Sequence, residues 1–550
     1  MNAFDWDGRL VSYPAERAQA YRASGEWSEV PTGGRLHESA LRFGDRTALI
    51  TAEATFTYRE LDERTDQIAA AFGRVGLRRG DPVIFQVTNR AATVLAWYGC
   101  LKAGLVPVAT LSQHRMHEIG HISRKVGAVG HIVEAGLSFD LVRFAREVAD
   151  GHPTMRHLFT IGGESGIDDL GLDIPPTEAR EFVESIEAQT DSEDVAVFQL
   201  SGGTTGVPKV IPRIHAEYWN NALFYARALG WTEDSTVAHL IPVIHNAGIS
   251  CALHATHAVG ATLVLANPDA GPAFELMARS DVTDVLIGHG HYQAVQTSAF
   301  DAVLPTLRHT VLSGAKVSPE LFARVDTGRW AGQMFGMSEG MFLVTPLDAP
   351  ASARASTVGV PIAKSDEIRI IDPGTEQQLP DGEVGELCCR GPYTIPGYFD
   401  APDHNVDAFT SDGFYRTGDL AAWHEFDGRR YLAIEGRIKD LINRGGEKVN
   451  AEEVELLLMQ HPAIASAAVV AAPDERLGER ACAYLVASNG TELTMVQIQE
   501  HMDSLGVAKF KWPERLVWVP ELPRTNVGKV NKKSLRADVV ARVEAERAQS

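Results

Sequence analysis

The sequence predicts an α/β protein: a large N-terminal domain of parallel sheets plus a β-rich subdomain, and a small α+β C-terminal domain. Three observations carry that reading. Apolar runs of strand length alternate with helix-periodic stretches as far as Val285–Ile287, the rhythm of parallel α/β layers. After Arg354 the pattern changes to short strands and turns. Near residue 436 a charged, glycine-rich passage (Gly436-Arg-Ile-Lys-Asp-Leu-Ile-Asn-Arg-Gly-Gly-Glu-Lys-Val) follows a strand and marks a domain boundary. At 550 residues the chain exceeds one ordinary core, so two or more domains are expected.

In order, residues 1–45 hold Trp6, Tyr13 and Trp27 and read as a helical cover. Asp62–Val75 and Ala91–Ala103 have helical spacing, and Val83–Val87, Leu105–Ala109, Ala128–Val133, Val195–Leu200 and Ala261–Ala266 read as strands. The polar stretch 163–190 reads as a surface loop. Glu367–Ile371, the turn at Asp372-Pro-Gly, and Gly385–Arg390 begin the β-rich part. Beyond the boundary, about 110 residues suffice for a small domain. Its expected elements are helices Ala451–Gln460 and Met495–Ser504, strands Ile464–Ala471, Ala481–Val486 and Arg515–Val519, and a charged helix after Lys533.

Composition narrows the function classes. Fifty-one basic against 72 acidic side chains give a formal charge of −21, which argues against nonspecific nucleic-acid or anionic-lipid binding. The five cysteines, Cys100, Cys251, Cys388, Cys389 and Cys482, form no Cys-x-x-Cys pair, so no disulfide framework is expected and a reducing cytoplasm is the default. The N-terminus lacks the features of a signal peptide, and no apolar run reaches the length of about 18 residues that a membrane span needs.

The chemistry centres on Leu200-Ser-Gly-Gly-Thr-Thr-Gly-Val-Pro-Lys209, which follows an apolar strand. Glycines allow successive amides to turn inward around an anion, hydroxyls add donors, and Lys209 adds a point charge suited to phosphate. The spacing is neither a Walker A loop nor a dinucleotide-binding fingerprint. Polyphosphate binding is expected.

Five separated phrases then occur in one order: Leu200–Lys209, Gln333-Met-Phe-Gly-Met-Ser-Glu339, Phe414-Tyr-Arg-Thr-Gly-Asp419, Gly436-Arg-Ile-Lys-Asp440 and Pro523-Arg-Thr-Asn-Val-Gly-Lys529. Together they resemble the acyl-adenylate-forming (AMP-binding) superfamily. His245-Asn246, Arg390-Gly-Pro-Tyr-Thr-Ile, Asn443-Arg-Gly-Gly-Glu-Lys-Val and Lys509-Phe-Lys-Trp-Pro bring the likeness closer to stand-alone aryl-acid adenylating enzymes of the 2,3-dihydroxybenzoate–AMP ligase and salicylate–AMP ligase type. That resemblance implies a carboxylate attacking Mg²⁺-ATP to give acyl-AMP and pyrophosphate. A thiol then displaces AMP, either a carrier-protein phosphopantetheine in siderophore or secondary-metabolite biosynthesis or, alternatively, coenzyme A.

Carried over residue by residue, the resemblance assigns Ser201, Gly202, Gly203, Thr204, Thr205, Gly206 and Lys209 to the phosphates. Glu339, with Thr204, would hold Mg²⁺, a hard cation that takes oxygen ligands. Gly314, Ala315, Lys316 and Met334, Phe335, Gly336, Met337 and Ser338 would wall the adenine. Asp419 would grip the ribose hydroxyls, Arg437 the ribose or α-phosphate side, and Lys529 would bridge the carboxylate, ribose and α-phosphate. The implied domains are 1–436 for adenylation, a hinge at 437–440 centred on Lys439, and a mobile 441–550 that brings Gly445 and Gly446 to the thiol tunnel.

His245, Asn246, Ala247 and Cys251 would line the acid pocket with Gly314, Gly336, Met341 and Phe342. Asn246 matches the partner of a ring ortho-hydroxyl, and His245 lies near the carboxylate. Cys251 stands where the dihydroxybenzoate enzymes have a serine, and a thiol is a weak hydrogen-bond partner. Ala247 and Gly248 stand where an aromatic residue and a proline are usual, which opens space, and Phe342 refills some of it. The expected acid is salicylate-like, with an ortho-hydroxyl or ortho-amino group, other than 2,3-dihydroxybenzoate; a methylated or bicyclic ring would fit.

A rival reading is the literal zincin motif His117-Glu-Ile-Gly-His121, two histidines on one helix face, without a convincing third ligand. The pair His254/His257 reads as ordinary helix positions, His289/His291 as a weak pocket wall, and Cys388-Cys389 as strand packing.

Overall fold

The computed structural model describes residues 4–163, 166–201, 208–315, 317–444, 447–474, 476–488, 490–505, 507, 509–525 and 529–549. The chain divides into two compact units. The first comprises Met1–Ile368, Cys389–Tyr415 and Phe426–Tyr431, and the second Arg369–Cys388, Arg416–Glu425 and Leu432–Ser550.

The first unit holds two sheets. The six-stranded one runs, edge to edge, His157–Ile161, Gly130–Glu134, Pro82–Gln86, Val106–Ala109, Val195–Leu200, Val210–Ile214. It is parallel except for the last pair. Strands Pro82–Gln86, Val106–Ala109 and Gly130–Glu134 are buried at every position, because helices cover both faces of a parallel sheet. The same logic explains helix Ala91–Lys102, apolar all round and buried along its whole length. Its one cation, Lys102, ends on Asp62 and Asp66 at 2.5 Å each, both on helix Tyr58–Arg74. That helix starts in a capping box between Thr57 and Glu60.

The nine-stranded sheet positions the site. Strand Thr236–His239 pairs in parallel with Thr262–Leu265 on one side and with Asp284–Gly288 on the other. The winding therefore reverses at this strand, the kind of switch point at whose carboxyl ends α/β sheets place binding crevices. His309–Ser313 and Trp330–Met337 continue the parallel order, and Gly340–Val344 returns antiparallel.

Stretch 163–190 departs from the loop expected of it. Pro176–Glu187 is a helix with proline in its first turn. It buries only Ala179 and Val183, which lie four residues apart on one face. Ala179 meets Ala70 and Ala71, with Phe182 packed alongside. So narrow an apolar stripe is hidden within a polar composition.

The second unit contains most of a four-stranded sheet, Glu367–Ile371, Gly385–Arg390, Tyr415–Phe426, Arg429–Arg437. It also holds a five-stranded sheet built on the long antiparallel pair Ile464–Asp474 and Gly478–Ala487. Helices Ala451–Met459 and Met495–Ser504 cover a core that includes Val454, Leu458, Ile498 and Met502. Helix Lys532–Gln549 closes the chain. All five cysteines are buried and free. Among the described residues no helix is long and apolar enough to cross a membrane.

Candidate active site

In the first unit, the expected phosphate loop lies between two paired strands. Strands Val195–Leu200 and Val210–Ile214 pair antiparallel, and the neck is closed twice: Ser201 N–H donates to the Lys209 carbonyl and Lys209 N–H to Ser201 Oγ, both at 3.0 Å. Gly202, Gly203, Thr204, Thr205 and Gly206 lie outside the described residues, as do Lys316, Gly445 and Gly446. The Lys209 ammonium stands 5.7 Å from the centroid of the Tyr398 ring.

Tyr398 links that loop to Glu339. Its hydroxyl donates to Glu339 Oε1 at 2.7 Å and lies 2.9 Å from the Tyr415 hydroxyl. Glu339 is 8% exposed, and among the described residues no lysine or arginine pairs with it. A buried carboxylate held by a neutral hydroxyl, with no cation among the described residues paired to it, suits a hard divalent cation. Its neighbour Gly340 has φ +147°, and a Cβ there would come within 2.2 Å of the Tyr393 carbonyl oxygen. Only glycine fits that approach.

The same segment is fastened from below by a fully buried ion pair. Arg213 and Glu217 meet at 2.7 Å in a two-pronged fork. Arg213 then donates to the carbonyls of Ser338 at 3.0 Å and Tyr393 at 3.3 Å.

The acid-side residues follow strand Thr236–His239. Asn246 is buried, and its Oδ1 accepts from Tyr218 Oη at 3.0 Å and Ser250 Oγ at 3.3 Å. Its Nδ2 donates to the Met337 carbonyl at 3.3 Å. That bond ties the segment expected to line the acid pocket to the strand leading to Glu339. His245 is exposed, and its Nδ1 accepts the Ala247 N–H at 3.3 Å. Residues Ile249–Leu253 form a π-helical turn, a widened element that recurs at functional sites. Cys251 in it packs with Met334 and Phe342, with Ala247 alongside. Burial pushes the Cys251 thiol far above its ordinary pKa, so it stays neutral.

Phe342 lies over Gly336: a Cβ on Gly336 would come within 2.6 Å of the ring. Met341 is fully buried beside it in sequence. Gly314, at φ +98°, and Ala315 lie just past strand His309–Ser313, and the Tyr292 hydroxyl donates to the Ser313 carbonyl at 3.1 Å and the Ala315 carbonyl at 3.4 Å.

In the second unit, Asp419 is 7% exposed and pairs with Arg437 Nε at 2.8 Å. Burial raises the Asp419 pKa against the opposing pull of Arg437 and Lys529. Lys529 follows residues 526–528, which lie outside the described residues; its flanks pair through the Arg524–Val530 bridge and a Thr525 N–H bond to the Lys529 carbonyl at 2.7 Å. Lys529 keeps an exposed surface, yet desolvation by the surrounding protein and the Arg437 charge lower its pKa. Lys439 sits in the 3₁₀ turn Ile438–Asp440, where desolvation and Arg437 lower its pKa to about 8. Arg536 binds that turn through the Asp440 carboxylate and the Lys439 carbonyl.

Of the remaining candidates from the sequence, Glu118, His254 and His257 have structural partners. Glu118 accepts the Arg115 N–H at 2.9 Å and caps helix Met116–Val126, on which His117 and His121 are exposed. His254 accepts from Trp97 Nε1 at 3.1 Å, and His257 lies 2.7 Å from the Tyr98 hydroxyl. Cys388 and Cys389 are buried in strand Gly385–Arg390.

The functional partners that sequence reasoning missed are Tyr218, Arg213–Glu217, Tyr398 and Tyr415. Of these, Tyr415 alone falls within a sequence motif, Phe414–Asp419; the others are joined by tertiary contacts across up to 180 residues.

A family model described as AMP-binding enzyme matches residues 36–399, and one described as AMP-binding enzyme C-terminal domain matches residues 453–529. A salicylyl-CoA synthase / salicylate adenylyltransferase from Streptomyces sp. is 39% identical over 549 residues, covering 96% of this chain and 97% of that protein. A salicyl-AMP ligase / salicyl-S-ArCP synthetase from Mycobacterium tuberculosis is 37% identical over 543 residues, covering 96% and 94%. The apo structure of Mycobacterium smegmatis MbtA superposes with a TM-score of 0.71 at 35% identity, over 96% of this chain and 98% of that one.

Proposed function

Because the chain belongs to the AMP-binding enzyme family and is an adenylate-forming ligase, we propose that it activates a salicylate-like acid, bearing an ortho-hydroxyl or ortho-amino group, to the aryl-AMP and passes the aryl group to a phosphopantetheine thiol of a separate carrier protein. The observation that carries the reading is the Asn246–Met337 bond. It holds the segment read here as recognising the acid against the strand that leads to Glu339, which supports the reading.

In the first half-reaction a carboxylate oxygen attacks the α-phosphorus of ATP and pyrophosphate leaves. Two anions must approach, so fixed positive charge and donors have to be in place beforehand. The 201–209 loop would take the outer phosphates, and Asp419 the ribose hydroxyls. Glu339 and Thr204 would hold Mg²⁺, which when bound neutralises charge on the triphosphate. Asn246 would orient the acid through its ortho group, with His245 near the carboxylate, and Lys529 would donate to the carboxylate and α-phosphate as charge develops. In the second half-reaction a thiolate displaces AMP. We assign the hinge to Lys439, so that the C-terminal part, 441–550, would exchange Lys529 for the Gly445–Gly446 segment between halves. Five free, buried cysteines suit a reducing cytoplasm.

The test is to incubate the protein with ATP, Mg²⁺ and one aryl acid at a time, identify aryl-AMP by mass, and then add coenzyme A or a phosphopantetheinylated aryl carrier protein. Loading of the carrier supports the reading. Turnover only with coenzyme A replaces the acceptor, and absence of aryl-AMP with every aryl acid overturns it.

Two expectations follow from single residues. Changing Cys251→Ser exchanges a weak hydrogen-bond partner for a hydroxyl, so kcat/KM for 3-hydroxylated acids should rise relative to salicylate. An unchanged ranking of acids removes Cys251 from the pocket. The second concerns pH. The lowered pKa of Lys529 means that its charge is lost at lower pH than an ordinary lysine loses it. Adenylation should therefore decline on the alkaline side with an apparent pKa below about 10.4. That limb should vanish in Lys529→Ala; its persistence there assigns it to another group.

A further inference from the structure

Helix His215–Ala228 carries Tyr218, Asn221, Ala222 and Tyr225 on one face, since these positions are three and four apart. The first of them already serves the acid segment, through the Tyr218–Asn246 bond. Farther along the stripe, Ala222 and Tyr225 pack in one apolar cluster with Cys251, Met334 and Phe342. The Tyr225 ring meets Phe342 edge-on at 6.0 Å between centroids and Trp231 at 5.6 Å. Asn221 and Tyr225 are both completely buried. Yet, among the described residues, neither amide atom of Asn221 nor the Tyr225 hydroxyl has a hydrogen-bond partner. Polar groups sealed in a protein interior are almost always paired, because an unpaired one has given up water for nothing. Two such groups, one turn apart on a stripe that begins at the acid site, indicate a place that a ligand completes.

We infer that Asn221 and Tyr225 form a second polar subsite of the acid pocket, so that the acid carries, beyond its carboxylate and ortho group, a neutral hydrogen-bonding substituent on the ring edge remote from the carboxylate. A hydroxyl or amino group fits best, since Asn221 offers both a donor and an acceptor and the tyrosine hydroxyl can act as either. An ionised substituent does not fit, because the surrounding cluster is apolar. The readout of ring substituents thus moves from position 251, where a thiol stands, to the helix face. This inference rests on the reading of Asn246 as the partner of the ortho group.

The experiment measures ATP–pyrophosphate exchange with benzoate, salicylate, anthranilate, and salicylates and 2-hydroxynaphthoates bearing one further hydroxyl or amino group. The unmodified protein should favour at least one such doubly substituted acid over salicylate by about tenfold or more in kcat/KM, the scale of one hydrogen bond read in a buried site. Tyr225→Phe should lose about that factor on the preferred acid while its salicylate value changes less than about threefold; Asn221→Leu should act in the same direction. Direct titration of the preferred acid and of salicylate into each variant should show the same selective weakening. If salicylate is the best acid of the unmodified protein, the subsite is wrong and the aryl-acid reading stands, an outcome that needs no variant to fold. A Tyr225→Phe protein with intact melting behaviour that loses all acids equally also overturns it. Exchange with no aryl acid at all overturns the reading beneath it as well.

Discussion

Lys529→Ala slows aryl-adenylate formation by about 10²–10³-fold, the scale for removing one preorganised donor from a transition state. The loss falls on kcat, because the charge this lysine meets develops only as the carboxylate reaches the α-phosphorus; ATP affinity changes much less. The fold should not suffer. Lys529 is exposed, and the pairing that shapes its arm, Thr525 N–H to the Lys529 carbonyl, uses backbone atoms. Pre-steady-state pyrophosphate release, with a melting curve as control, checks this. Near-normal release refutes the role.

Glu339→Gln should cost about 10²-fold in adenylation, of the order lost with a single electrostatic contact to the reacting groups. It should also raise the Mg²⁺ concentration at half-maximal rate. The substitution keeps the shape of the side chain and leaves an amide oxygen to accept the Tyr398 hydroxyl, now 2.7 Å from Glu339 Oε1. What disappears is the negative charge a hard cation requires. Titrating Mg²⁺ against the adenylation rate, and Mn²⁺ against the spin-resonance signal of the free ion, separates lost metal affinity from a distorted loop. Unchanged dependence on both ions removes Glu339 from the metal site.

Sequence and structure agree where local pattern decides the outcome. The apolar run Val195–Leu200 is a strand, and just beyond it Ser201 pairs with Lys209. Helix Met495–Ser504 begins where the sequence places it, and there Thr494 and Gln497 form a capping box. The helix Pro176–Glu187 was not legible, since two buried residues on a polar segment do not stand out from a loop. Asn246 was legible as a site residue but not as a buried one; its partners Tyr218, Ser250 and Met337 lie up to 91 residues away. The Arg213–Glu217 pair looks like an ordinary helix-spaced salt bridge in the sequence, worth little at a surface. Its role appears only when the fold buries it and brings the carbonyls of Ser338 and Tyr393 to the guanidinium. The π-helical turn at Ile249–Leu253 has no sequence signature, and Cys251 within it packs with Met334 and Phe342.

The measurement that bears most directly on the central claim is acid-dependent exchange of labelled pyrophosphate into ATP, across benzoate, salicylate, methylsalicylates, anthranilate, 2,3-dihydroxybenzoate, picolinates and naphthoates. Reversible adenylation predicts exchange that needs both Mg²⁺ and an acid, and is strongest with an ortho-hydroxy or ortho-amino aryl acid other than 2,3-dihydroxybenzoate. Exchange supported best by 2,3-dihydroxybenzoate contradicts the reading of the pocket, and silence across the whole panel with folded protein contradicts aryl-acid activation itself.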